Sequence, residues 1–74
     1  MEKLLKLYSR LQAEKQSLQL ILEHDKVADW YIQIYHGDSE TVIFVDTHVD
    51  LDFLSSQAYI ALYNWFLDKF GYLP

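Results

Sequence analysis

Residues 58–70, AYIALYNWFLDKF, have the spacing of a helix yet carry apolar or aromatic side chains at almost every angle around it. A surface helix of a globular domain needs one apolar face, and this one has nearly two. Whatever fold the chain adopts must find cover for the surplus. The means are limited: 74 residues give room for one core, near the lower size at which a core is adequate without staples. No cysteine is present to supply a disulfide or a thiolate metal site, which also favours a reducing compartment.

The ends of this last helix are marked. Asp50 fits the N-cap, Asp52 adds negative charge to the first turn, and Val49 with Leu54 has the spacing of a hydrophobic staple. Gly71 is a conventional stop, with Pro74 beyond it. At about 100° per residue, Leu51, Leu54, Ala58, Ala61, Leu62 and Trp65 form the stripe expected to face the core. Beside it lie Tyr59, Tyr63, Phe66 and Phe70, the candidate apolar interface, through which a homodimer is expected. Phe53, Ile60 and Leu67 fall further round, and only Gln57, Asn64 and Asp68 make a clearly polar edge. The alternative is that the first helix, with Tyr72 and Leu73, covers the arc inside one monomer.

From Glu2 to about Glu23, Leu4, Leu7, Leu11, Leu18 and Ile21 recur at helical spacings broken by Glu14, which predicts a single amphipathic helix with Gln12, Gln16 and Gln19 on its solvated side. EHDK is expected to turn the chain. In VADWYIQIYHGDSETVIFVD the period becomes two, the signature of strands. His36-Gly37-Asp38-Ser39 separates the two runs, and a two-residue Gly37-Asp38 loop suits a type II′ hairpin with Gly37 at positive φ. An even loop puts Trp30, Ile32, Ile34, Ile43 and Val45 on one face and Tyr31, Gln33, Tyr35, Val42 and Phe44 on the other; an odd one would bring Asp46 to the Trp30 face. The expected architecture is a single α+β domain over residues 1–74, ordered α-β-β-α, with a two-stranded antiparallel hairpin packed against two helices.

Charge is unevenly distributed. The net charge is −5, and no Lys or Arg occurs between Val27 and Asp68, where seven acidic residues lie. Direct binding to nucleic acid, which uses clustered Lys and Arg, is disfavoured, and the aromatic residues lack the basic groove of a single-strand platform. A basic protein partner is the electrostatic complement, with Asp38, Glu40, Asp46, Asp50 and Asp52 as candidate contacts.

DTHVDLD, residues 46–52, is the one polar cluster resembling a reactive site. Asp46, His48 and Asp50 are possible cation ligands, but the cluster coincides with a helix start, where acids serve as caps. No metal or other cofactor is expected. His24, His36 and His48 read as turn or helix-end residues; none has a local nucleophile arrangement, although Ser55 and Ser56 follow His48 closely. The P-loop, GxGxxG and HExxH patterns are absent, so no catalytic residue is assigned and no enzymatic activity is expected. No segment has the roughly 18 consecutive apolar residues of a membrane span, and the N-terminus lacks the apolar run of a signal peptide. A soluble cytoplasmic domain is the expectation.

In size, acidity and lack of cysteine the chain is similar to small phage-encoded inhibitors that imitate nucleic acid or block a host enzyme, a similarity of composition that transfers no residues. The leading expectation is a non-enzymatic acidic interaction module that inhibits or regulates a basic, nucleic-acid-binding type of protein. The alternative is a homodimeric structural or assembly protein whose acidity only confers solubility.

Overall fold

Asp50 caps the long C-terminal helix as its side-chain chemistry predicts: its backbone is extended, and its carboxylate accepts from the amides of Asp52 and Phe53. The other end stops at Gly71, whose φ of 76° is left-handed and whose N–H donates to the Leu67 carbonyl. Val49 is 67% exposed, so the expected staple onto Leu54 contributes little. The computed structural model describes residues 1–14, 17–24, 27 and 29–72. Its elements are α1 (Glu2–Ala13), β1 (Leu18–His24), β2 (Trp30–His36), β3 (Thr41–His48) and α2 (Leu51–Phe70). The fold is α+β, with a three-stranded antiparallel sheet in the order β1-β2-β3.

The third strand corrects the expected single helix from Glu2 to about Glu23. Leu4, Leu7 and Leu11 are buried along α1 as the stripe predicts, but the helix ends at Ala13, and Leu18–His24 is a strand. Leu-Gln-Leu-Ile-Leu-Glu satisfies both periods. Read by twos, it places Leu18, Leu20 and Leu22 on one face and Gln19, Ile21 and Glu23 on the other. Pairing decides between them, because β2 without β1 would expose an unpaired edge and a two-stranded sheet is marginal by itself. Glu23 and His24 therefore end β1, and Asp25 and Lys26 of the expected EHDK turn lie outside the described residues. Gln12 helps α1 meet the new strand. Its side-chain amide donates to the Leu18 carbonyl at 2.9 Å and its oxygen accepts the Leu18 N–H at 3.1 Å, covering that part of the β1 edge as a neighbouring strand would.

The β2–β3 connection is even in length but is not a type II′ turn. Four residues, Gly37 to Glu40, separate the strands, and the positive φ belongs to Glu40, at 52°, rather than to Gly37. Gly37 is used instead for close approach: its N–H donates to the Ser17 carbonyl at 2.7 Å, and a Cβ there would stand 3.0 Å from Ser17 Oγ. Further along, the ladder passes from Tyr35↔Val42 to Ile34↔Phe44, leaving Ile43 as an extra residue in β3. Val42 and Ile43 keep the expected faces, on the open side and against the core, but beyond the bulge the facing is reversed. Phe44, Asp46 and His48 oppose Ile34, Ile32 and Trp30, while Val45 moves to the far side, opposite Gln33, and is 53% exposed. Asp46 thus reaches the Trp30 face, the outcome anticipated only for an odd loop, because one bulged residue shifts the alternation as one loop residue would.

Both helices lie on the same face of the sheet, α2 against β2 and β3, α1 against α2 and β1. Between them sits one core of Leu4, Leu7, Leu11, Leu18, Ile32, Ile34, Leu54, Ala58, Leu62 and Phe66. Among the described residues no layer covers the opposite face of the sheet. Among the described residues no helix is long and apolar enough to cross a membrane.

Candidate functional site

The uncovered sheet face follows from the register. Its cross-strand rows are Gln19–Tyr35–Val42, Ile21–Gln33–Val45 and Glu23–Tyr31–Thr47. Ile21, Val42 and Val45 are exposed, and Tyr31, Gln33 and Tyr35 are half-buried, with the Tyr31 hydroxyl donating to Gln33 Oε1 at 2.7 Å. The centre is apolar and tyrosine-rich, and no Lys or Arg lies in any of the three strands. Acids stand at both ends: Glu23 and Asp29 where β1 gives way to β2, Asp38 and Glu40 in the β2–β3 turn, all exposed. At the first end Glu23, His24, Asp29, Tyr31 and Thr47 line a cleft of about 340 Å³.

The five acids singled out in the sequence are thereby divided. Asp38 and Glu40 border the open face. Asp46 points to the helix-covered side, and its carboxylate accepts the Thr47 N–H at 2.8 Å. Asp50 and Asp52 belong to the start of α2. Eight residues of β3 separate Glu40 from Val49, so at roughly 3.4 Å per residue the two groups are about 25 Å apart. That exceeds the Debye length of about 8 Å at physiological salt, and the acids act as two poles rather than one row.

The Asp46–Asp52 cluster is engaged in backbone capping. Asp50 N–H donates to His48 Nδ1 at 2.9 Å, while Asp50 Oδ1 accepts from Asp52 N–H at 2.9 Å and Phe53 N–H at 3.3 Å. The His48 ring rests on Phe53, centroids 4.5 Å apart. Among the described residues no group of three or more His, Cys, Asp or Glu is placed to hold a metal ion.

Of the four residues of the expected apolar interface, one is interior and three are half-buried. Phe66 is 0% exposed and sits in the core. Tyr59, Tyr63 and Phe70 are half-buried against that core, and Tyr72 closes over Phe66 edge-on at 5.3 Å between centroids. The exposed apolar residues of α2 are those expected further round, Phe53, Ile60 and Leu67. Sequence reasoning places Tyr31, Tyr35 and Val42 on one sheet face but gives them no role; it puts Val45 on the other face and does not bring Ile21, Glu23 or Asp29 to the sheet. The available signal was the period-two reading of residues 18–23, which puts Ile21 and Glu23 on one face.

Among the described residues His36 is the one buried titratable side chain, 2% exposed, on the core side of β2. Its Nδ1 lies 2.6 Å from Ser39 Oγ and 3.5 Å from Lys69 Nζ, and it accepts the Ser39 N–H at 3.3 Å. Two of these neighbours can only donate, so Nδ1 is the acceptor and the proton resides on Nε2. Among the described residues Nε2 has no hydrogen-bond partner; the ring sits 4.8 Å from Trp65, tilted by 52°. Lys69 also lies over Trp65, 5.1 Å from the ring centroid. The group ties the β2–β3 turn to the last turn of α2.

Burial holds the His36 pKa below its ordinary value of 6.5, Lys69 lowers it further, and Asp38 opposes them. The unfolded chain therefore binds this proton more readily than the folded one. Stability from this site is fully present above the unfolded pKa of 6.5 and is lost as pH falls from there through the lower folded value. Urea midpoints measured from about pH 7.5 to about pH 5 should fall in the wild type, and the part due to this site should vanish in His36→Gln. An unchanged slope in that variant would remove His36 as the cause.

The chain matches no family model, no curated protein and no solved structure. Function is therefore argued from the surfaces themselves.

Proposed function

We propose that the chain is a non-enzymatic interaction module that docks a basic protein on its open sheet face and thereby inhibits or regulates it. The observation that carries this reading is the arrangement of that face, an uncharged Tyr, Val and Ile centre with acids at both ends and no Lys or Arg in its strands. Stable interfaces combine an apolar centre depleted in charge with a polar rim, and Tyr is enriched in them. The acids at the rim would speed encounter with a positive surface, whereas the centre would set residence time. A partner whose basic surface normally holds nucleic acid fits these charges. Two acidic poles suit such a rim better than a continuous imitation of phosphates.

The test uses a partner captured from the native host and then purified. Asp38→Asn with Glu40→Gln should slow association at low salt and flatten its salt dependence, and Tyr35→Ala with Val45→Ala should speed dissociation. Equal rates for the acid variant would make the acidity a solubility feature. That outcome favours the second reading, a homodimeric assembly protein, whose supporting observation is the exposed apolar row of α2.

A further inference from the structure

β1 is an edge strand, paired with β2 on one side only. Its outer side is occupied at Leu18, whose N–H and carbonyl both bond to the Gln12 side chain. Main-chain groups alternate in direction along an antiparallel strand, so those of Leu20 and Leu22 also point away from β2. Among the described residues no element pairs with them. Exposed edges are normally blunted by a Lys, a Pro, a bulge or an inward-pointing charge. β3, the opposite edge, has the bulge at Ile43 and carries Asp46 on its helix-covered side. Leu18 to Leu22 has none of these devices, and Ile21 and Leu22, on opposite faces, are each 40% exposed.

We infer that this edge pairs with β1 of a second copy of this chain, antiparallel, about a two-fold axis at Ile21. The unpaired backbone groups call for a strand as their occupant, and the side chains say which one. Residues 19–23, Gln-Leu-Ile-Leu-Glu, read nearly the same in both directions, which is what a two-fold pair of antiparallel strands requires of its sequence. Ile21 then meets Ile21, Leu20 meets Leu22 of the second copy, and Gln19 meets Glu23. The outward N–H and carbonyl groups of Leu20 and Leu22 bond to those of Leu22 and Leu20 across the axis. Each Glu23 carboxylate faces an amide that can donate to it, and no two acids stand directly opposite. The pairing stops at Leu18, where Gln12 and the Tyr8 hydroxyl already hold the edge. A two-fold axis between antiparallel strands is perpendicular to the sheet. Two three-stranded sheets thus become one of six strands, with both open faces on the same side. The centre of the docking face at Tyr35, Val42 and Val45 takes no part in the seam, and either proposal can fail without the other.

The absence of cysteine makes single-thiol probes clean. Ile21 gives its own main-chain bonds to β2, so across the seam it forms a non-hydrogen-bonded pair with Cα atoms about 4.5 Å apart, a separation that a disulfide spans. Under oxidation at high micromolar concentration, Ile21→Cys should form a disulfide-linked dimer. Gln19→Cys and Glu23→Cys should cross-link poorly alone and readily when mixed. Val45→Cys, exposed on the same face but on β3, serves as the control and should cross-link poorly. Ile21→Lys opposes two like charges on the axis. It should sediment as a monomer under conditions where the wild type dimerises, with an unchanged far-UV spectrum, because Ile21 is outside the core. A wild type that stays monomeric at high micromolar concentration overturns the proposal, as does a dimer that persists in Ile21→Lys. So does Gln19→Cys joining itself as fast as Ile21→Cys, which indicates parallel pairing, or Val45→Cys outpacing both, which puts the contact elsewhere on the sheet.

Discussion

Phe66→Ala is expected to cost about 3–5 kcal/mol, the range for a large aromatic removed from a tight core. Phe66 is 0% exposed and heads the fully buried side chains by volume, with Phe70 and Tyr72 rings packed around it. A domain of this length has roughly 4–11 kcal/mol of stability in total. The variant should therefore lose its cooperative urea transition or shift it by about 2 M or more, at an m-value of about 1–2 kcal/mol/M. Phe53→Ala, one aromatic truncation on the outer side of the same helix, should cost less than about 1 kcal/mol. Comparable losses from the two would mean that α2 is rotated relative to the core described here. Phe66→Glu should unfold the chain, not merely dissociate it, because the charge would enter a site that cannot solvate it.

The second large effect separates Phe44 from Val45. With the bulge, Phe44 packs against the core opposite Ile34, so Phe44→Ala should cost about 2 kcal/mol, near half the value for a fully buried Phe. Val45 is on the open face, and Val45→Ala should stay within about 0.5 kcal/mol. A ladder without the bulge predicts the reverse order, since Val45 would then lie beside Ile32. Thermal or urea unfolding of these two variants decides the register without a further structure.

The candidate interaction surfaces were only partly legible in the chain. The surplus of apolar residues on α2 and the lack of basic residues through its middle could both be read directly, and both persist in the fold. Which residues carry the surplus could not be read. Tyr59, Tyr63, Phe66 and Phe70 are a contiguous arc on a helical wheel, but α2 leans on α1 as well as the sheet and draws that arc inward, leaving Phe53, Ile60 and Leu67 outside. Four residues of the open sheet face, Tyr31, Gln33, Tyr35 and Val42, follow from the alternation alone, whereas Ile21 and Glu23 depend on the third strand and Val45 on the bulge.

Features that depend on a few consecutive residues follow from the sequence alone. Asp50 begins α2 because its carboxylate reaches amides two and three residues on, and Gly71 ends it because the left-handed backbone there costs glycine nothing. The alternation of Trp30 to Tyr35 makes a strand for equally local reasons. Residues 18–24 are different. Their pattern fits either period, and β1 exists because β2 offers an open edge and Gln12 meets Leu18. The extra residue at Ile43 is likewise indifferent locally. It is placed where the shift brings Phe44 to the core and leaves Val45 in solvent. Caps and alternation within one helix end or strand are decided by neighbouring residues; facing, register and the identity of a third strand are decided by what packs against them.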